Sequence, residues 1–228
     1  MNKVVDVSHA LWSGMPRIPV LPEVEVCPVM EIAHGAPLNI SMLHVATHAG
    51  THIDAPSHAI AGARSIDEIP PERFIGTGVV VGVRRGAGEE ITVEDMLAGG
   101  PRPQRGEMVL LSTGWDELFQ SDDYHDHPAL SPALARWLVE EGVTLVGVDC
   151  ITVDLPVARR PAGFDFPVHR TLLGAEVLIA ENLRGLAPLV GARVRVYGQP
   201  IAVRGGDGGH VRMLVQELDE SERAALRT

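Results

Sequence analysis

The sequence predicts a fold of mixed class, α/β or α+β, on two observations. Short Val-rich apolar runs recur between Gly or Pro punctuation, and helical stretches lie between those runs rather than after them. No internal repeat, low-complexity segment or long Pro/Gly/Ser linker divides the 228 residues, so one domain spanning 1–228 is expected.

Taken in chain order, "GVVVGV" at 78–83 reads as the first clear strand. A helix follows from Thr92 in "TVEDMLAGG", and the Pro- and Gly-rich "GGPRPQRG" at 99–106 is a surface loop. "MVLLST" at 108–113 is a strand. In "SPALARWLVEEG", Ser131 is the N-cap, Pro132 opens the first turn and Gly142 stops the helix, with Leu134, Trp137, Leu138 and Glu141 on one face. "VTLVGVD" at 143–149 and "ARVRVYG" at 192–198 are further strands. "HVRMLVQEL" at 210–218 alternates as one strand with Val211, Met213 and Val215 on one face, and a helix closes the chain in "DESERAALRT".

Composition excludes several functions. The formal charge is -11, and the local basic pairs, Arg84-Arg85 and Arg159-Arg160, read as solvated turns, so no nucleic-acid surface is expected. No run approaches membrane-spanning length, and the start, "MNKVVDVSHALWSGMP", carries no signal-peptide core. Cys27 and Cys150 stand far apart and outside any CxxC spacing, which predicts no disulfide framework and a reducing cytoplasm as the compartment. Aromatics are only 4% of residues, so Val, Leu, Ile and Ala must build the core.

Chemistry concentrates in "HVATHAGTHIDAPSHAI", residues 44–60. His48, His52, Asp54 and His58 form H-x3-H-x-D-x3-H. Gly50 and Pro56 make a regular helix a poor host, so an extended or turning path is expected. On such a path His52 and Asp54 project to one side and Ile53 and Ala55 to the other, while the Gly50-Thr51 turn brings His48 round. Nitrogen and carboxylate donors without sulfur suit zinc, manganese, iron or cobalt, and three protein ligands leave positions open for water, as in catalytic sites. His34, His44, His125 and His127 fall outside the pattern and read as ordinary polar-loop histidines. "SIDEIPPERF" reads as a solvated acidic loop. "GGDGGH" at 205–210 lacks the residues of a phosphate loop and reads as a tight turn. The serine of "LLSTGWD" has no G-x-S-x-G around it.

The string "HAGTHIDAPSH" at 48–58 resembles the H-x-G-T-H-x-D-x-P-x-H signature of the cyclase-like metal hydrolases, the family of bacterial kynurenine formamidase and isatin hydrolase. "DVSHALWSGMP", "LLSTGWDELF", "LVGVDCITVD", "VHRTLLGAEVLIAENL" and "VRGGDGGHVRMLV" are similar to further family segments, so the resemblance covers nearly the whole length. It implies an α/β fold of the swivelling β/β/α type, with a mixed central sheet or barrel-like core and flanking helices. It also implies a homodimer or homotetramer acting on a small-molecule substrate with one or two divalent ions, Zn or Mn, per subunit. By position it makes His48, His52 and Asp54 metal ligands and His58 the proton donor and acceptor. His169 and Glu181 complete the ligand set, with Asp54 and Glu181 bridging. Sequence spacing does not reveal that last pair.

In one place the chain departs from the pattern. Where kynurenine formamidases carry P-x-W-P-G-D, with a substrate-lining tryptophan, the piece here is "PRIPVL", which puts Ile18 at the tryptophan position and Val20 and Leu21 after it. Ile18 is the expected substrate-contacting residue, and Trp12 either compensates from nearby as a second one or takes a core or rim position. Cys150, where relatives carry a small residue, is expected to be buried and inert. The expected reaction is hydrolysis of an amide C–N bond in a small formamide or cyclic amide by attack of metal-bound hydroxide, with His58 as general acid and base. Esterase, lactonase or polyketide-type cyclase chemistry at the same site, and metal-dependent binding without turnover, are the alternatives.

Overall fold

A computed structural model of the protein describes residues 3–225. The strands follow in chain order as β1 (Val4–Asp6), β2 (Glu25–Met30), β3 (Ile40–His44), β4 (His52–Asp54), β5 (Ile75–Gly82), β6 (Glu90–Ile91) and β7 (Met108–Ser112). After them come β8 (Ala129–Leu130), β9 (Leu145–Val148), β10 (Leu178–Glu181), β11 (Arg193–Tyr197), β12 (Gly208–His210) and β13 (Leu214–Glu217). The α-helices are α1 (Val93–Gly99), α2 (Pro132–Glu141), α3 (Pro167–Gly174) and α4 (Glu220–Ala225). No helix among the described residues is long and apolar enough to cross a membrane.

Local chemistry sets the helix bounds. Ser131 accepts a hydrogen bond from the Leu134 amide at 3.1 Å, and Gly142 ends α2 in the left-handed region at φ 77°. The helix expected from Thr92 is α1, and Thr92 and Asp95 cap it reciprocally. Leu134 and Leu138 on α2 are fully buried, a contribution of roughly 2–3 kcal/mol each.

Nine strands form one sheet in the order β1-β13-β11-β5-β7-β9-β10-β4-β12. Its centre, β5-β7-β9-β10, is parallel, and the strands to either side are antiparallel. Each parallel step is a crossover through α1, α2 or α3. Strands covered on both faces must be apolar throughout, and β7 and β9 are buried at every position. Side chains alternate between faces: Val79 and Val81 pack under the helices with Leu134 and Leu172, while Val80 packs on the other face with Leu110, Ile53 and Met213. Gly147 lets the layers approach, since a β-carbon there would sit 2.6 Å from Leu110 and 2.7 Å from Leu183.

β12 and β13 lie toward opposite ends of the strand order, yet only residues 211–213 join them. The sheet therefore curls until its ends meet, giving the half-barrel core the family resemblance implies. The closing contacts are backbone ones: Val7 N–H to Met213 O at 3.0 Å, Arg184 N–H to Val7 O at 3.0 Å, and a bridge between Ser8 and Leu183. This corrects the single strand expected over 210–218, because residues 211–213 carry the chain from one end of the sheet to the other. Val211, Met213 and Val215 still share one buried cluster.

The expected closing helix is α4, and residues 226–228 lie outside the described residues. "SIDEIPPERF" forms two 3-10 turns that bury Ile66, Ile69 and Phe74 rather than a solvated loop. Among the described residues β2 and β3 pair only with each other, as a hairpin set apart from the large sheet.

Candidate metal centre

The histidine-rich segment enters the sheet as β4, between β10 and β12, with His52 opposite Glu181 and His210. Ile53 points into the apolar cluster of the curl, so His52 and Asp54 face the other side, where α3 lies. The turn before β4 needs a glycine. Gly50 has φ +67°, and a β-carbon there would meet Leu11 at 2.9 Å. This turn brings His48 Nδ1 to 2.8 Å from Asp54 Oδ1. Pro56–His58 then form a 3-10 turn that stacks the His58 ring 3.8 Å from that of His48. From the segment between β9 and α3, Asp154 accepts the amides of Val168 and His169 on that helix and, at 2.6 Å, His169 Nδ1.

Hydrogen bonding fixes the tautomers. A carbonyl only accepts, so His52 Nδ1, 2.8 Å from Gly50 O, carries the proton and Nε2 is left as a lone pair. That lone pair faces Asp54 Oδ1 at 3.2 Å and Glu181 Oε2 at 3.5 Å. His169 repeats the arrangement, because Nδ1 donates to Asp154 and Nε2 faces Glu181 Oε1 at 3.4 Å and Asp54 Oδ2 at 3.6 Å. All four groups are buried, and His52 Nε2 and Asp54 Oδ2 have no hydrogen-bond partner. Two lone pairs and two carboxylates converging out of water repel one another unless a cation lies between them. Donors around a four-coordinate ion with bonds of 2.0–2.2 Å lie about 3.3–3.6 Å apart, which these separations match.

Two sets of donors meet the geometric requirement for an ion, His52-Asp54-Glu181 and His48-Asp54-His58, with Asp54 common to both. The nitrogen and oxygen donors suit a divalent cation. Titration behaviour reflects the same field. Burial would raise the Asp54 carboxyl, but His52, His169 and His48 hold it well below the carboxylate range. Burial opposes charge on His48, yet Asp54 and Asp207 push it up to about 9. Burial likewise opposes charge on His169, but Asp154, Asp54 and Glu181 raise it well above the ordinary imidazole value, so without a metal ion its Nε2 carries a proton between these carboxylates, and a bound cation would displace that proton. Burial lowers His58.

A cavity of about 310 Å³ opens over this cluster, with Ile18, Val20 and Leu21 on one wall and Phe166 exposed by 40% on another. A larger one of about 700 Å³, lined by His9, Arg184 and His210, has none of the six clustered residues in its wall. The structure thus brings His48, His52, Asp54, His58, His169 and Glu181 together with Ile18. Trp12 is not in that wall: it packs edge-on against Phe119, 5.7 Å between centroids, in an apolar cluster that Ile18 also touches.

His34 and His44 are exposed. His127 is not a solvated loop residue. It is fully buried, its Nδ1 donates to Pro128 O, and burial lowers its ring to about 4. Cys150 is buried, and burial pushes its thiol well above the ordinary value.

Sequence reading missed three residues of the site. Asp154 orients His169. Phe166 supplies an aromatic ring to the cavity that Ile18 also lines. Asp207, in "GGDGGH", accepts Thr47 Oγ1 at 2.9 Å and lies 3.1 Å from His48 Nε2 and 3.8 Å from His58 Nδ1. The neighbouring glycine explains that motif, since a β-carbon on Gly208 would strike both His48 Cε1 and Ile53 O at 2.9 Å. An acid between glycines that must pass a histidine was the available signal.

Fold and site together define a curled-sheet α/β protein with a buried histidine-carboxylate centre for a divalent cation. The family model described as putative cyclase matches residues 5–155, and the chain belongs to that cyclase family. It is 30% identical over 221 residues to the kynurenine formamidase of Bordetella pertussis, covering 96% of this chain and 100% of that one. Isatin hydrolase A from Labrenzia aggregata, solved with benzyl benzoate bound, superposes with a TM-score of 0.82 at 26% identity, covering 95% of this chain and 94% of that one. A solved potential metal-dependent hydrolase with cyclase activity gives 0.78 at 25% identity, covering 96% and 100%.

Proposed function

We propose that the protein is a metal-dependent hydrolase cleaving the C–N bond of a small formamide or cyclic amide, with His48, His52, Asp54, His169 and Glu181 as metal ligands. The observation that carries this is the pair of buried imidazole lone pairs aimed at two buried carboxylates. Relatives that are a kynurenine formamidase and an isatin hydrolase support the bond type. A divalent ion of the zinc or manganese class, one or two per subunit, supplies carbonyl polarisation and brings the pKa of water to roughly 7 when bound.

The residues do the rest. His58 lies beside the cluster, and its Nδ1 is turned toward Asp207, so Nε2 takes a proton from the attacking water and returns it to the leaving nitrogen. Ile18, Val20, Leu21 and Phe166 exclude bulk water from the reacting atoms and hold an apolar group next to them. The test is hydrolysis of formanilide, isatin and a lactone by protein stripped of metal and reloaded with manganese or zinc. C–N cleavage that returns with metal supports the proposal; lactone cleavage alone, or no metal dependence, refutes it.

The β2–β3 hairpin exposes Val29, Ile32, Leu38, Met42 and Leu43 and, among the described residues, pairs with no other strand, which supports a homo-oligomer in which this arm covers a second copy. Sedimentation should show a dimer or tetramer, dissociated by Leu38→Asp with Met42→Asp. The β1–β13 pairing ties early to late residues, which supports reading 1–228 as one domain with a single unfolding transition. Both cysteines are unpaired, consistent with a cytoplasmic setting that cell fractionation would check.

A further inference from the structure

Of the adjacent arginines 159 and 160, only the first is an ordinary surface residue. Arg159 turns outward and pairs with Asp126 through Nη2–Oδ2 at 2.6 Å. Arg160 turns the other way, into the wall of the cavity above the metal cluster. Its Nε donates to Leu155 O at 2.9 Å, and its guanidinium lies 4.7 Å from the Phe166 ring centre and 5.5 Å from that of Phe164. Among the described residues no carboxylate lies within ion-pair distance of it, Asp154 and Glu181 acting on it only through space, and no hydrogen bond uses its two Nη groups.

The local backbone is built to hold this arrangement. Phe166 adopts φ 54°, ψ 60°, a left-handed conformation costly for a residue with a side chain, directly before Pro167 at the start of α3. The result is an aromatic face kept in the cavity wall, on which the cation rests. The same ring is 6.1 Å from that of His169, so Arg160 and the metal cluster are separated by no more than these two short steps. Arg170 also lines the cavity, and its Nε is likewise satisfied only by a carbonyl, Asp165 O.

Charge completes the case. The two carboxylates that act on Arg160 through space, Asp154 and Glu181, are themselves paired with His169, so Arg160 has no carboxylate of its own. A planar fork of free N–H donors against apolar walls matches a planar carboxylate, and a charge-assisted bond there is stronger than one in water.

We propose that Arg160 is a specificity-determining residue that anchors a carboxylate on the substrate, within about one ring's length of the scissile amide. It would thereby select N-acylated amino acids and carboxylated formanilides over neutral amides and neutral rings. This rests on the metal-hydrolase reading for its reaction but not for its anion site, and the experiment separates the two.

The probes are N-formylanthranilate, its methyl ester and formanilide, assayed with metal-loaded wild type, Arg160→Gln and Arg160→Lys, together with benzoate binding by calorimetry to metal-free protein. The wild type should favour N-formylanthranilate over its methyl ester by about 10- to 100-fold in kcat/KM. Arg160→Gln should bring that ratio near one through a raised KM, and Arg160→Lys should keep part of it. Benzoate should bind metal-free wild type and lose that binding in Arg160→Gln, with circular dichroism confirming that the variant is folded. A preference equal in wild type and Arg160→Gln, or benzoate binding that needs the metal and ignores the substitution, overturns the proposal by placing the carboxylate on the ion. Inorganic phosphate binding more tightly than benzoate also overturns it. If none of the three amides is cleaved, the hydrolase reading fails, and the benzoate result still decides Arg160.

Discussion

Replacing Asp154 with Asn is the most telling single change, because it alters no proposed ligand and keeps the shape of the side chain. Asp154 is 1% exposed and takes three donors: the amides of Val168 and His169, at 3.1 and 3.0 Å, and His169 Nδ1 at 2.6 Å. An amide cannot accept all three. With its oxygen toward His169, the new NH2 group meets the Val168 N–H donor to donor. Flipped, NH2 faces Nδ1 and forces the other tautomer, which places a proton on Nε2 and removes the lone pair that faces Glu181. Loss of an orienting partner behind a ligating histidine lowers metal affinity by about 10- to 100-fold, which is about 1.4–2.8 kcal/mol. Competition of a chromogenic chelator with the protein for zinc or manganese reads this directly, beside a circular dichroism spectrum. Folded Asp154→Asn protein with wild-type affinity would show that His169 is not held for a metal.

Three further outcomes follow from the geometry. His58→Ala should cut turnover by about a hundredfold while elemental analysis finds the metal retained; loss of metal with it would make His58 a ligand, as its grouping with His48 and Asp54 allows. Gly50→Ala forces a β-carbon into a left-handed turn against Leu11 and should cost about 1–2 kcal/mol in urea unfolding; unchanged stability would mean the turn is not left-handed. His127 is held near 4 by burial, against 6.5 in the unfolded chain. Its depressed value means the unfolded state binds the proton first, so its contribution is complete above pH 6.5 and declines as pH falls toward 4, by about 3 kcal/mol. His127→Gln should flatten that decline, and an unaltered acid profile would count against a buried neutral ring.

Much of the scaffold was legible because its signals are local. Ser131, Pro132 and Gly142 bracket α2 by their own backbone chemistry, and Val-rich runs mark strands buried on both faces. The hairpin left no such trace, since "EVCPVM" and "ISMLH" neither alternate nor sit in the core. Half the site was equally local, because the two-residue period of a strand puts His52 and Asp54 on one face. Glu181 reads alone as one more position in a buried strand. Only the pairing of β10 with β4 sets it opposite His52, and pairing between distant segments is not written in the spacing of either. Arg160 and Phe166 were hidden for a different reason: a loop residue's direction depends on the backbone conformation beside it.

The curl of the sheet also has a bearing on synthesis. β1 finds its partner only in β13, and β4 acquires its second neighbour only with β12. While the ribosome still holds residues 208–217, the early histidines have been made but the strand that carries them has an open edge, and the barrel seam cannot shut. Contacts so far apart along the chain form late and slowly. The edge of the strand that carries His52 and Asp54 is therefore covered only once residues 208–210 have been made.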